Sequence, residues 1–73
     1  MLPIRTLIID DEANARSAIK NMVQQLKLPV EIIGEAGNAA EGLEKIKLLQ
    51  PELLFLDIQM PGKSGIELMQ EMN

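Results

Sequence analysis

The sequence predicts an α/β fold in three layers: a parallel sheet made from three βα units, (βα)3, in strand order 2-1-3. Three observations predict it. Short apolar runs alternate with stretches of helical periodicity, the pattern of a parallel sheet with right-handed crossovers. Proline and glycine punctuate the chain between these stretches, at Pro29, Gly37 and Pro51. Two apolar runs, Leu7-Ile8-Ile9 and Leu53-Leu54-Phe55-Leu56, end abruptly in aspartate, at Asp10-Asp11 and at Asp57. If the first crossover leaves strand one in one direction and the second returns past it, strand one is central. Asp10 and Asp57 then end neighbouring strands at the carboxyl edge, where open α/β sheets place their chemistry.

Each element follows from local pattern. Ile4 to Ile9 reads as a strand buried on both faces. From Glu12 to about Lys27, residues Ala15, Ala18, Ile19, Met22, Val23 and Leu26 recur at helical intervals, and Pro29 stops the helix. Val30 to Gly34 is a second strand. Asn38 and Glu41 have the spacing of a capping box, and Ala39, Ala40, Leu43, Ile46 and Leu49 line the next helix until Pro51. Leu53 to Leu56 is the third strand. After Pro61-Gly62, Ser64 and Glu67 cap a third helix lined by Ile66, Met69 and Met72. The first helix covers one face of the sheet and the other two cover the opposite face.

With 73 residues the chain is at most one small domain, and a core of this size buries only ~60% of the surface its unfolded chain exposes. There is no cysteine and no histidine, so disulfides, structural zinc and catalytic thiols are excluded. One phenylalanine is the only aromatic residue, which leaves a core of Leu, Ile, Met and Ala and points to a chain that needs a partner for stability. The net charge of −4 argues against direct binding of nucleic acid or anionic membranes. No run approaches the ~18 apolar residues of a membrane span, and no signal peptide opens the chain. A cytoplasmic protein is the expectation.

Three carboxylates at one edge, Asp10, Asp11 and Asp57, repel one another, and a hard divalent cation resolves the repulsion. Mg²⁺ suits the set, because it binds through one or two carboxylates plus waters and phosphate oxygens. Beside a metal-bound phosphate donor, Asp57 can act as nucleophile and become an acyl phosphate. Gly62 and Gly65 would keep the neighbouring loop close to the site. Simpler roles stand beside these. Asp10 or Asp11 could cap the first helix, and Glu12 reads as a first-turn dipole partner. Lys20, Lys27, Lys45 and Lys47 read as solvated helix faces. Met22, Met69 and Met72 read as core or interface filler. Arg16 has no partner that sequence names.

These motifs, in this order and spacing, resemble the receiver domain of bacterial two-component response regulators, a flavodoxin-like fold. The resemblance covers the whole chain, from Asp10-Asp11 through Gly34-Glu35-Ala36 to Leu56-Asp57-Ile58-Gln59-Met60-Pro61-Gly62-Lys63-Ser64-Gly65. The run Asp10 to Arg16 looks most like receivers that precede LytTR-type DNA-binding domains in transcription regulators. The resemblance implies that Asp57 is the phosphoacceptor for a sensor histidine kinase or a small donor such as acetyl phosphate. It implies that Asp10, Asp11 and Asp57 hold Mg²⁺, with the backbone carbonyl of Gln59 as a further ligand. It implies a phosphoacceptor rather than an enzyme in its own right.

Residues 1–73 match only the first three of about five βα units of such receivers. The hydroxyl residue after strand four and the lysine after strand five have no counterpart, and Lys63 sits in the wrong loop to replace the latter. Signalling by the family mechanism is therefore expected to be impaired in a truncated receiver. Strand three would become an edge, and two chains are expected to form a homodimer through that edge and through helix faces. One alternative is a structural, dimerising half-receiver without phosphotransfer. Another is a Mg²⁺-dependent phosphohydrolase, disfavoured because Asp57-Ile58-Gln59 lacks a second acid two residues on.

Overall fold

The computed structural model describes residues 3–57 and residue 70. Strand β1 (Ile4–Ile9) is central in a three-stranded sheet, between β2 (Val30–Ala36) and β3 (Leu53–Leu56), with both pairings parallel. The expected order 2-1-3 is the observed one. Flanked on both sides and covered on both faces, Thr6, Leu7, Ile8 and Ile9 are 0% exposed. The one polar group among them is satisfied, since the Thr6 hydroxyl donates to the Ile4 carbonyl at 3.0 Å.

The two faces of β1 belong to different helices. Leu7 and Ile9 point toward α2 (Ala39–Leu49) and form the buried cluster with Ala36 and Ala39, joined by Leu43, Ile46, Leu54 and Leu56. Close approach here depends on Gly42. A Cβ at that position would lie 2.7 Å from Ile9 Cδ1 and 3.0 Å from Ile9 Cγ2, so a larger residue would have to push Ile9 aside for the helix to settle on the strand. Helix α1 (Ala13–Gln25) lies on the side of Ile8, where its Arg16 and Lys20 reach Glu35 of β2. Only Val23 of α1 is fully buried. Ala18, Met22 and Leu26, expected to face the core, are exposed, the last two at 44% and 62%. No element among the described residues covers that side of the helix.

The helix ends show where local rules acted differently from expectation. Helix α1 stops at Gln25, two residues short of the expected Lys27. Lys27 adopts a left-handed φ of 51°, and its N–H and that of Leu28 bond to the carbonyls of Gln24 (3.2 Å) and Val23 (3.1 Å). These are the two reversed bonds of a Schellman motif, which satisfies carbonyls that a helix end leaves orphaned. The stop is thus made by Lys27 rather than by Pro29. Glu12 is the N-cap residue rather than part of the first turn, and its side chain makes no capping bond. Helix α2 begins as expected, with Asn38 Oδ1 accepting from the Glu41 N–H at 2.8 Å. At its other end Arg5 of β1 donates to the carbonyls of Leu49 (2.5 Å) and Gln50 (2.9 Å).

Strand β2 runs two residues further than the expected Gly34 and carries an irregularity. Thr6 pairs with Ile32, but Leu7 pairs with Gly34, so Ile33 is an extra residue in the β1–β2 ladder. Paired residues share a face. After the bulge Ala36 lies on the side of Ile9, and Glu35 on the side of Ile8. Strand β3 pairs with β1 from Leu53 to Leu56 and is the outer strand among the described residues. Of the expected third helix only Gln70 is among the described residues, and it is helical; Ser64, Glu67, Ile66, Met69 and Met72 lie outside them, as do Gly62, Lys63 and Gly65.

Candidate functional site

Parallel pairing carries the two outer acids to one level. Past the strand ends, the Asp10 N–H bonds to the Ala36 carbonyl (3.0 Å) and the Asp57 N–H to the Ile9 carbonyl (2.9 Å). Asp10, Asp11 and Asp57 each offer a carboxylate oxygen, and these three oxygens lie within 4.8 Å of one another. Asp10 and Asp57 are half-buried and Asp11 is exposed. A shallow depression lined by Asp10, Ile19, Phe55, Leu56 and Asp57 opens beside them.

Asp10 is held at three points. Its N–H bonds to β2 as above, its Oδ1 accepts from the Glu12 N–H at 3.0 Å, and its carbonyl accepts from Arg16 Nη1 at 2.6 Å. The side-chain bond is a local turn ahead of α1, so the expected capping role of the aspartates is met only in this indirect form. Arg16 also donates through Nε to Glu35 Oε1 at 3.1 Å, and Lys20 Nζ donates to Glu35 Oε2 at 2.8 Å. From the opposite layer, Lys45 Nζ donates to the Glu35 carbonyl and pairs with Glu41 at 3.3 Å. The hydrogen bond from Lys20 holds the Glu35 carboxyl below its usual range. Partial burial works against that shift, and Arg16 adds to it.

Comparison with known proteins decides what this edge belongs to. The sequence profile of the response regulator receiver domain matches residues 6–73. The chain belongs to the response regulator receiver family. Among curated relatives it is 48% identical over 66 residues to an uncharacterized response regulatory protein of Vibrio cholerae, covering 90% of this chain and 27% of that one. It is 46% identical over 65 residues to the transcriptional regulatory protein BtsR of Escherichia coli, covering 89% of this chain and 27% of BtsR. The chain therefore spans about a quarter of the length of these relatives. Among solved structures, the response regulator domain of Thermotoga maritima CheB superposes with a TM-score of 0.84 at 32% identity, over 93% of this chain and 50% of that one. The CheX-CheY-BeF3-Mg²⁺ complex of Borrelia burgdorferi gives 0.83 at 25% identity, over 97% and 53%. The receiver fold and the place of this domain in two-component response regulators follow.

The receiver's structure brings together three of the four site residues that sequence singled out, namely Asp10, Asp11 and Asp57. Gln59 lies outside the described residues. Two readings of charged side chains change. Arg16 has partners on both sides, and Lys20 and Lys45 are tied to β2 rather than simply solvated. Glu35 is the residue that sequence reasoning missed. The signal was Gly34 inside a strand pattern, which marks a bulge and so redirects the side chain that follows. No helix among the described residues is long and apolar enough to cross a membrane.

Proposed function

We propose that this chain is the phosphoacceptor part of a two-component response regulator, with Asp57 receiving the phosphoryl group and Mg²⁺ held by Asp10, Asp11 and Asp57. The observation that carries the reading is the convergence of three carboxylate oxygens within 4.8 Å. Asp10, Asp11 and Asp57 would hold the ion through these oxygens. The hard, all-oxygen donor set fits Mg²⁺ and leaves positions for water and a phosphate oxygen. The backbone carbonyl of Gln59 is the further ligand we assign from the resemblance.

When bound, the ion supplies positive charge opposite the transferring phosphoryl oxygens. The chain's own part is positional. A carboxylate oxygen of Asp57 attacks phosphorus and the new O–P bond forms. The bond from phosphorus to the donor's histidine nitrogen or acetate oxygen breaks, and its electron pair leaves with the donor. The edge between β1 and β3 holds the backbone that carries the proposed attacking carboxylate, because the N–H groups of Asp10 and Asp57 continue the sheet's hydrogen bonding. In the parent protein the donor would be a sensor histidine kinase and the setting cytoplasmic. A LytTR-type DNA-binding partner domain would make that protein a transcription regulator. The segment is an acceptor rather than an enzyme.

Intact-mass measurement after acetyl phosphate and Mg²⁺ tests this. The expected result is a gain of one phosphoryl group, lost on Asp57→Asn and on chelation of the metal. No adduct at any time would overturn the reading.

A second reading rests on a separate observation. Leu53–Leu56 is the outer strand among the described residues, Leu53 is 39% exposed, and Met22 and Leu26 of α1 are exposed too. An apolar strand with one partner is a pairing surface, and self-association through it would make the chain a homodimer. Sedimentation showing a folded monomer at micromolar concentration would overturn that.

A further inference from the structure

We propose that Arg16 and Glu35 act as a positioning pair for the acidic edge, fixing the backbone of Asp10 so that its carboxylate stays beside those of Asp11 and Asp57. The proposal rests on the reading of Asp10 as a metal-holding residue, but it concerns two residues that lend no ligand themselves. Arg16 occupies the first turns of α1, and its guanidinium makes two bonds in different directions. Nη1 donates to the Asp10 carbonyl at 2.6 Å, and Nε donates to Glu35 Oε1 at 3.1 Å. The Arg16 side chain is only 21% exposed, so the fork is partly withdrawn from water and from screening salt.

Glu35 is fixed in turn from both layers. Lys20 of α1 holds its other carboxylate oxygen, and Lys45 of α2 holds its backbone carbonyl. The chain of contacts therefore runs from both helices through Glu35 and Arg16 to the peptide that joins Asp10 to Asp11. A peptide plane held at its carbonyl restricts ψ of Asp10 and φ of Asp11 together, so both carboxylates are aimed by one contact. Partners of ligands that set ligand orientation in this way typically change metal affinity ten-fold or more when removed.

The sign of the effect separates positioning from simple charge. Arg16 is a cation bonded to the backbone of Asp10, one of the residues proposed to hold the metal. Through space alone, removing it would strengthen Mg²⁺ binding, and removing the Glu35 charge would weaken it. Positioning requires both removals to weaken binding. It also requires that Arg16→Lys fail to restore it, since an ammonium cannot reproduce a fork with two fixed directions.

The experiment is Mg²⁺ titration of the 73-residue chain and of Arg16→Ala, Arg16→Lys, Glu35→Gln and the double variant Arg16→Ala/Glu35→Gln, each checked for folding by circular dichroism. We expect roughly ten-fold weaker binding for both Arg16 variants. We expect a smaller loss for Glu35→Gln, and a double variant no weaker than Arg16→Ala. Equal or tighter binding by Arg16→Ala would overturn the proposal, as would full rescue by lysine. In the metal-free protein, the carbonyl ¹³C resonance of Asp10 reports the contact directly. It should move on Arg16→Lys and on Glu35→Gln, and an unmoved resonance overturns the pair. If the unaltered chain binds no Mg²⁺, the metal reading fails, while the ¹³C response still decides whether Arg16 and Glu35 hold Asp10.

Discussion

The two edges of this sheet solve opposite electrostatic problems with the same residue type. At the amino edge Arg5 donates to the last carbonyls of α2. Its own N–H is accepted by Glu52 Oε1 at 3.0 Å, and its carbonyl accepts the Glu52 N–H at 2.8 Å. Charge there is used locally to close a helix end. The concavity at that edge, lined by Pro3, Ile4, Arg5, Glu31 and Glu52, is about 540 Å³, against about 200 Å³ beside the carboxylates. At the carboxyl edge Arg16 also donates to a backbone carbonyl, but it leaves three aspartates gathered within 4.8 Å. The smaller hollow is the one beside the carboxylates proposed to hold the metal. Concentrated charge of one sign, rather than volume, distinguishes it.

Four perturbations would break or sharpen this contrast. The largest acts on the packing of α2 against β1. Gly42→Val drives a side chain into Ile9, which has no room to retreat, and should cost roughly 1–3 kcal/mol, read as a lower urea midpoint with an unchanged m-value. Next, Arg5→Ala should lose about 1–2 kcal/mol from stability while leaving the Mg²⁺ affinity of the folded protein unaltered. A change in that affinity would mean the edges are coupled.

Third, Asp11→Asn should do the reverse of Arg5→Ala. It relieves like-charge repulsion and raises the metal-free Tm by about 3 °C, the size expected for ~0.5 kcal/mol in a small domain, yet it weakens Mg²⁺ binding. A lower Tm would show that the carboxylates are not in conflict.

The smallest effect is a pH dependence. The carboxyl of Glu35 lies below its ordinary 4.5, chiefly through Lys20. A depressed folded value means the unfolded chain takes up the proton first, so the pair stabilises the fold above pH ~4.5. That contribution is lost as pH falls through the folded value. The Tm gap between the unaltered chain and Glu35→Gln should therefore be widest near neutrality and close in acid. Because the Glu35 side chain is 35% exposed, the gap is small. A gap that grows as pH falls would reverse the assignment.

What was legible in the sequence and what was not divide along the range of the forces involved. The apolar run Leu7-Ile8-Ile9, the stripe of α2 and the Asn38–Glu41 cap are local patterns, and the structure repeats them. The meeting of Asp10, Asp11 and Asp57 was legible because strand order 2-1-3 places two strand ends side by side. The partners of Arg16, Lys20 and Lys45 were not legible. All three converge on Glu35, and the face that Glu35 occupies depends on a one-residue slip between β1 and β2. The end of α1 was misplaced for a similar reason. A lysine accepted the left-handed conformation that glycine usually takes, so composition gave no warning.

The extra residue in β2 has a consequence for how this segment can change length. Removing Ile33 would set Ile32 and Gly34 in succession opposite Thr6 and Leu7, and every later residue would keep its neighbour across the ladder. Removing Glu35 instead would bring Ala36 to the place of the carboxylate and dismantle the link to Arg16. Within one short strand, then, a missing codon keeps the Glu35 carboxylate on its face at one position and removes it two positions later. Parity, more than length, is the inherited quantity.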